Sequence, residues 1–188
     1  EVVHAENRFK SIEIVCQDSN KGLAKSIIEG VSTVVEEHGK LIILEDDIIT
    51  SPSFLKYMNK ALDMYEKDDK VFSVSGYKPP SGNLGSVDSF FLPFSFPWGW
   101  GTWKKSWQNF VPDSKVLKKQ IDDKGLKALM NNGYYPYYQM LLDDISGKVN
   151  SWFVRFYAYH MLNEGLCLYP KISLTFNIGF DDTGEHCD

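Results

Sequence analysis

A chain of 188 residues with a net charge of −5 has room for one domain, and folding buries roughly two-thirds of the unfolded surface of such a chain. The acidic balance excludes a general nucleic-acid binder, which shows a basic stripe, and no apolar run approaches the ~18 residues that span a bilayer. Cys16, Cys167 and Cys187 are widely spaced and form no CxxC pair, so neither a disulfide framework nor a zinc site is expected, and a reducing, cytoplasmic setting follows.

Alternating Ile12, Ile14 and Cys16 predict a short strand over 11–16, and Asp18-Ser19-Asn20-Lys21-Gly22 is turn chemistry. Leu23, Ile27, Val31, Val34 and Val35 recur at helical spacing, with His38-Gly39 as the stop. The four aliphatics Leu41-Ile42-Ile43-Leu44 predict a buried parallel strand covered on both faces. Ser51-Pro52 reads as a helix start with Pro at the first helical position, and Phe54, Met58, Ala61 and Tyr65 form the buried stripe. A strand at 71–75, closed by Gly76, completes a strand-helix alternation that points to a doubly wound α/β sheet.

The second half is less regular. A Pro/Gly/Ser loop is expected at 79–87 and an aromatic strand at 89–94, followed by Phe96-Pro97-Trp98-Gly99-Trp100-Gly101-Thr102-Trp103. Residues 113–147 read as helical with breaks at Gly125, Gly133 and Pro136. An amphipathic helix is expected at 151–164 and a last short strand at 166–169. The stretch 177–186 is too polar and Gly-rich for a core element. No repeat or linker interrupts the chain, so 1–188 is read as one domain.

Glu45-Asp46-Asp47 stands where the aliphatic strand leaves the sheet, and open α/β sheets bind ligands at the carboxyl ends of their strands. Adjacent acids repel one another, and a divalent cation offsets that repulsion; carboxylate oxygens suit Mg²⁺ or Mn²⁺. The competing reading is a solvated turn that opens the next helix, since Asp also caps helices.

Asn20-x-Gly22, a helix ending near Gly39, an aliphatic strand and an acidic triplet together resemble the core of GT-A-fold glycosyltransferases. Glu45-Asp46-Asp47 and Phe96-Pro97-x-Gly99-Trp100 resemble the metal motif and the Phe-Pro-x-x-Gly-Trp segment of the N-acetylglucosaminyltransferase I-like group. The resemblance covers about 11–186. It implies a mostly parallel GT-A sheet flanked by helices, and metal-dependent transfer of a hexose or N-acetylhexosamine, with inversion. The donor would be a nucleoside diphosphate sugar, a UDP-sugar above all, and the acceptor a glycan or lipid-linked saccharide. The strand at 11–16 resembles the second strand of the fold's opening unit, so the first βα unit is expected to be missing; Glu1 in place of Met fits an excised piece or a processed form.

Carried over to this chain, the resemblance makes Asp47 the metal ligand that bridges to the donor diphosphate. Asp46 would face the ribose or donor sugar, and Glu45 would support both. A cation there stabilises charge as it builds on the leaving diphosphate. His186, behind a glycine-bearing acidic loop, is a candidate second ligand. Lys21 and Lys25 are candidates for added positive charge, against ordinary solvated lysines. Trp98, Gly99 and Trp100 are candidates for a sugar-binding wall, with mobility as a lid a further reading. Trp103 and Trp107, at i and i+4, are expected in the core, as is His160. In the relatives an Asp precedes a Trp-x-x-Arg-like segment as the base. Here Asn150 and Ser151 precede Trp152-Phe153-Val154-Arg155, and neither is a base. Asp144 is the preferred substitute, with Asp143, Asp181 and Asp182 as rivals, and Arg155 would pair with the diphosphate or one of these acids.

Two other functions compete. A sugar-phosphate nucleotidyltransferase uses a related sheet but normally has a Gly-rich, basic segment near its start, which is not visible. A catalytically inactive carbohydrate-binding domain is consistent with the missing base. The expected location is the cytoplasm, with peripheral contact to the inner face of the membrane.

Overall fold

The computed structural model describes residues 9–80, 82, 85–131 and 135–179. In chain order it contains α1 (Leu23–His38), β1 (Lys40–Ile43), β2 (Ile48–Thr50), α2 (Phe54–Met64), β3 (Val71–Ser75), β4 (Ser89–Leu92), β5 (Trp100–Trp103), α3 (Lys104–Trp107), α4 (Ser114–Asp123), α5 (Lys127–Met130), α6 (Tyr137–Ser146), α7 (Trp152–Leu162), β6 (Leu166–Pro170) and β7 (Thr175–Asn177). The α/β class expected from the sequence is present.

Five strands form a mixed sheet in the order β1-β5-β3-β6-β4, and β2 and β7 form a separate two-stranded ribbon. The sheet is not mostly parallel as expected. Only β3 and β6 are parallel neighbours; the pairings β1–β5, β3–β5 and β4–β6 are antiparallel. The cause is β5, which inserts antiparallel between β1 and β3. Gly101 lets it do so, since a Cβ there would lie 2.9 Å from the Leu41 carbonyl oxygen and 3.2 Å from the Met58 side chain. Because β1 and β3 are both antiparallel to β5, and β6 is parallel to β3, the carboxyl ends of β1, β3 and β6 share one edge of the sheet.

The sheet separates two apolar clusters. Trp100 points to one side, into a cluster with α1, α4, α6 and α7, whereas Trp103 points to the other, against Phe54, Met58 and Leu62 of α2. This alternation follows from the two-residue period of a strand. Trp103 donates its indole N–H to the Leu62 carbonyl (3.0 Å), and Trp107 donates to Ser32 Oγ (2.8 Å). Both are core residues as expected, but not through a shared helix face: Trp103 ends β5 and Trp107 lies in α3, and they pack on opposite sides of the sheet.

Other expectations are corrected. Residues 11–16 form no strand and are exposed throughout. Paired with β5 on one side and, among the described residues, with no strand on the other, β1 is an edge strand rather than a covered central one: only Ile43 of it is buried, and Leu44 lies beyond the strand and is exposed. Helix α2 starts at Phe54, after a turn at Pro52, so the proline is not its first residue. Helix α7 is not amphipathic, because nine of its eleven residues are buried. A helix that is apolar all round belongs inside a protein, and this one is roofed by α1, α4 and α6.

His160 is the packed core histidine anticipated. Its Nδ1–H donates to the Gly165 carbonyl (3.1 Å), which leaves Nε2 to accept from Ser73 Oγ (3.3 Å). Burial lowers its pKa to about 4, against a smaller upward pull from that carbonyl. Among the described residues no helix is long and apolar enough to cross a membrane.

Candidate functional site

The carboxyl edge shared by β1, β3 and β6 carries the acidic triplet. Residues 45–48 form a turn closed by Ile48 N–H to the Glu45 carbonyl (3.2 Å), and the chain passes from it directly into β2. The triplet therefore joins two strands and caps no helix. Asp46 is exposed, while Glu45 and Asp47 are half-buried.

Asp47 is held from β7. Its carbonyl accepts from Ile178 N–H (2.9 Å), and its Oδ2 accepts from Asn177 Nδ2 (3.1 Å). Asn177 is itself oriented, because its Oδ1 accepts from Gly179 N–H (2.7 Å). Side-chain space is short at Gly179, where a Cβ would lie 2.6 Å from Asp47 Oδ2. The second carboxylate oxygen, Oδ1, is buried and has no hydrogen-bond partner among the described residues. A buried acceptor left unsatisfied is costly, so this atom is the clearest sign of an unmet ligand. Glu45 shares the strain: burial, then the charges of Asp47 and Asp46, push its carboxyl up to about 7.

An all-oxygen donor with one free carboxylate oxygen fits Mg²⁺ or Mn²⁺ that arrives with a diphosphate, since such ions bind through one or two carboxylates plus phosphate oxygens and water. Among the described residues no group of three or more His, Cys, Asp or Glu is arranged to hold a metal by itself. His186 and Asp181, with Asp182, lie outside the described residues.

The other expected site residues lie elsewhere or are engaged. Lys25 is exposed on α1, 3.7 Å from Glu29, which also takes Lys21 at 2.8 Å. These are the ordinary solvated lysines of the alternative reading. Asp144, the preferred base, has a side chain only 2% exposed and binds Arg155 through both oxygens at 3.0 Å. It also accepts from Ser114 Oγ and from Ser151 N–H (2.7 Å). Burial raises its pKa, but the bonds from Arg155, Ser114 and Ser151 and the Arg155 charge outweigh that and hold it below the ordinary carboxylate value. Four donors occupy the lone pairs a base would use, so Asp144 ties α4, α6 and α7 together instead. Arg155 binds Asp144 through Nε and Nη2 and also donates from Nη2 to Asn150 Oδ1 (2.8 Å), so it pairs with one of the candidate acids. Asp143 sits at the end of α6, bonded to Gln139 (3.1 Å) and Lys148 (3.2 Å).

Trp100 cannot wall a sugar, because it is fully buried, stacked on Trp152 at 5.1 Å and against Phe156 at 5.0 Å. Its partner Trp98 is half-buried at the sheet edge. Gly99 separates the two with φ of +76°, and a Cβ there would lie 2.7 Å from Thr175 Cγ2. Thr175 Oγ1 in turn donates to the Trp98 carbonyl (2.8 Å). Gly99 therefore seats the Trp98 loop on β7, two residues from Asn177 and about 7 Å along the strand.

Sequence reasoning missed Asn177 and the aromatic rings around Trp98. Asn177 lay in a stretch read only as too polar for the core. Tyr77, packed 4.5 Å from Trp98, directly follows Gly76 at the carboxyl end of β3, so the strand-end rule applied to the triplet would also have found it. No protein-family model matches the chain, and no curated protein matches it.

Proposed function

We propose that the protein is a metal-dependent glycosyltransferase that moves a sugar from a nucleoside diphosphate sugar to a saccharide acceptor. The observation that carries the reading is Asp47: one oxygen is oriented by Asn177, and the other is buried and, among the described residues, unpartnered at the carboxyl end of β1. Four features from separate parts of the chain support it: the acidic triplet, the Phe96-to-Trp100 segment, the shared strand edge, and the aromatic rings beside it.

Asp47 would hold a divalent cation, which would supply positive charge where the leaving diphosphate gains negative charge. Asn177 fixes the carboxylate so that little reorganisation accompanies binding. Glu45, poised near neutrality, keeps the local charge from rising further until a cation is present. Asp46 is the exposed member, free to meet a hydroxyl of the donor. Inversion follows the family resemblance, and a UDP-sugar is the first donor to try.

The test is release of nucleoside diphosphate from UDP-, GDP- and CDP-sugars with Mn²⁺, with and without saccharide acceptors. Acceptor-dependent release that EDTA stops, and that Asp47→Asn removes, is the expected result. Undiminished turnover in Asp47→Asn would overturn the reading. A carbohydrate-binding domain without transfer is the second reading, favoured by the engagement of Asp144 on four donors; donor binding with no release under any condition would select it.

A further inference from the structure

The half-buried aromatic side chains beside the acidic corner form a continuous row. Tyr77 meets Trp98 edge-on at 4.5 Å and Phe96 at 5.3 Å; Phe96 meets Phe153 at 6.2 Å; Phe153 meets Tyr137 at 5.8 Å; and Tyr137 meets Tyr135 at 4.8 Å. They come from four separate places: the end of β3, the loop before β5, the start of α7 and the start of α6. A core cluster would bury all of them. Here Tyr137 is buried in the core and supports the row from beneath, whereas Tyr135 is half exposed and Tyr77, Phe96, Trp98 and Phe153 are each only half-buried.

The row also carries phenol hydroxyls. Tyr137 is raised to about 12, by burial first and then by the nearness of Tyr135 and Tyr77. Flat faces with hydroxyls at their rim match a pyranose, which offers a face of C–H groups and an edge of hydroxyls. The row is anchored to the acidic corner through Trp98, Thr175 and Asn177.

We propose that Tyr77, Phe96, Trp98 and Phe153, with Tyr135 at the rim, form the acceptor platform, and that the acceptor is an uncharged saccharide of at least two pyranose units. The proposal rests on the transferase reading and adds the acceptor class and the residues that select it. Stacking replaces charge as the recognition principle, since aromatic faces and phenols do not offset an anion. The platform also explains the absence of a sugar-facing Trp100: its ring belongs to the core beneath, and the residues above it take that role.

The experiment is calorimetric titration of cellobiose, lactose, maltose and N,N′-diacetylchitobiose, each alone and with UDP and Mn²⁺ present. The wild type is compared with Tyr77→Ala, Phe153→Ala and Tyr77→Phe. At least one disaccharide is expected to bind in the millimolar range or tighter. Tyr77→Ala and Phe153→Ala should each weaken it about tenfold or more, and Tyr77→Phe, which keeps the ring, only a few-fold. No binding of any disaccharide in either condition, or wild-type affinity retained in both alanine variants, would overturn the proposal. The stabilisation of each variant by UDP and Mn²⁺ is read alongside. If it persists while saccharide binding fails in the wild type, the platform falls and the transferase reading stands; if it is absent from the wild type, the reading itself falls.

Discussion

Two carboxylates divide this molecule. Asp144, under α7, accepts hydrogen bonds from Arg155, Ser114 and Ser151, and its side chain is 2% exposed. Asp47, at the turn between β1 and β2, has one oxygen tied to Asn177 and the other buried with no partner among the described residues. Both are aspartates near apolar surface, yet the first is fully satisfied within the protein and the second is not. The contrast separates a carboxylate that builds the fold from one that the proposed function assigns to a ligand, a distinction that adjacency to a motif alone does not make.

The comparison is broken most directly by truncating the satisfied member. Asp144→Ala leaves the half-buried Arg155 without its carboxylate partner and strips Ser114 Oγ and Ser151 N–H of their acceptor, which should cost about 2–4 kcal/mol in urea unfolding. A loss below about 1 kcal/mol would mean that Asp144 is not structural and would return it to the candidates for a base. Gly99→Ala should cost about 1–3 kcal/mol, since it combines a left-handed backbone at φ +76° with a Cβ 2.7 Å from Thr175. Because β7 carries Asn177, the same change should also weaken any ligand at Asp47.

The two regions should also fail at opposite ends of the pH scale. Glu45 is raised from 4.5 to about 7, so its contribution is full below 4.5 and is lost as the pH rises through 7. His160 is lowered from 6.5 to about 4, so its contribution is present above 6.5 and is lost as the pH falls through 4. Unfolding curves measured across this range should show Glu45→Gln flattening the neutral side and leaving the acid side unchanged. An unaltered neutral slope in that variant would remove the case for a charged, crowded corner. The smallest effect expected is on the stability of Asp47→Asn, within about 1 kcal/mol of wild type, because the change deletes a charge that the unliganded fold does not use.

How much of this was legible in the sequence depends on the kind of contact. Helix α1 with its Gly39 stop and the strand at 71–75 follow from local periodicity and agree with the structure, and Trp103, Trp107 and His160 lie in the core as expected. Strand direction did not, because the antiparallel insertion of β5 depends on the close approach that Gly101 permits across the sheet. The aliphatic run 41–44 reads as a central strand by composition, but its neighbours are set by the whole chain. Trp98 and Trp100 look equivalent in sequence, both beside glycines. A strand's two-residue period would put both on one face, but β5 begins only at Trp100, and the turn at Gly99 leaves Trp98 at the rim while Trp100 enters the core. Asp144 was chosen for its position, and only the geometry reveals that its lone pairs are already taken.

The central claim is that Asp47 holds a cation together with a nucleoside diphosphate. Thermal melting with UDP and Mn²⁺, singly and together, tests it most directly, since a ligand specific to the folded state raises the melting temperature with its occupancy. The account predicts a rise in the wild type that needs both components and is absent in Asp47→Asn. An equal rise in Asp47→Asn, or no rise in the wild type with UDP, GDP or CDP in the presence of Mn²⁺, would contradict it.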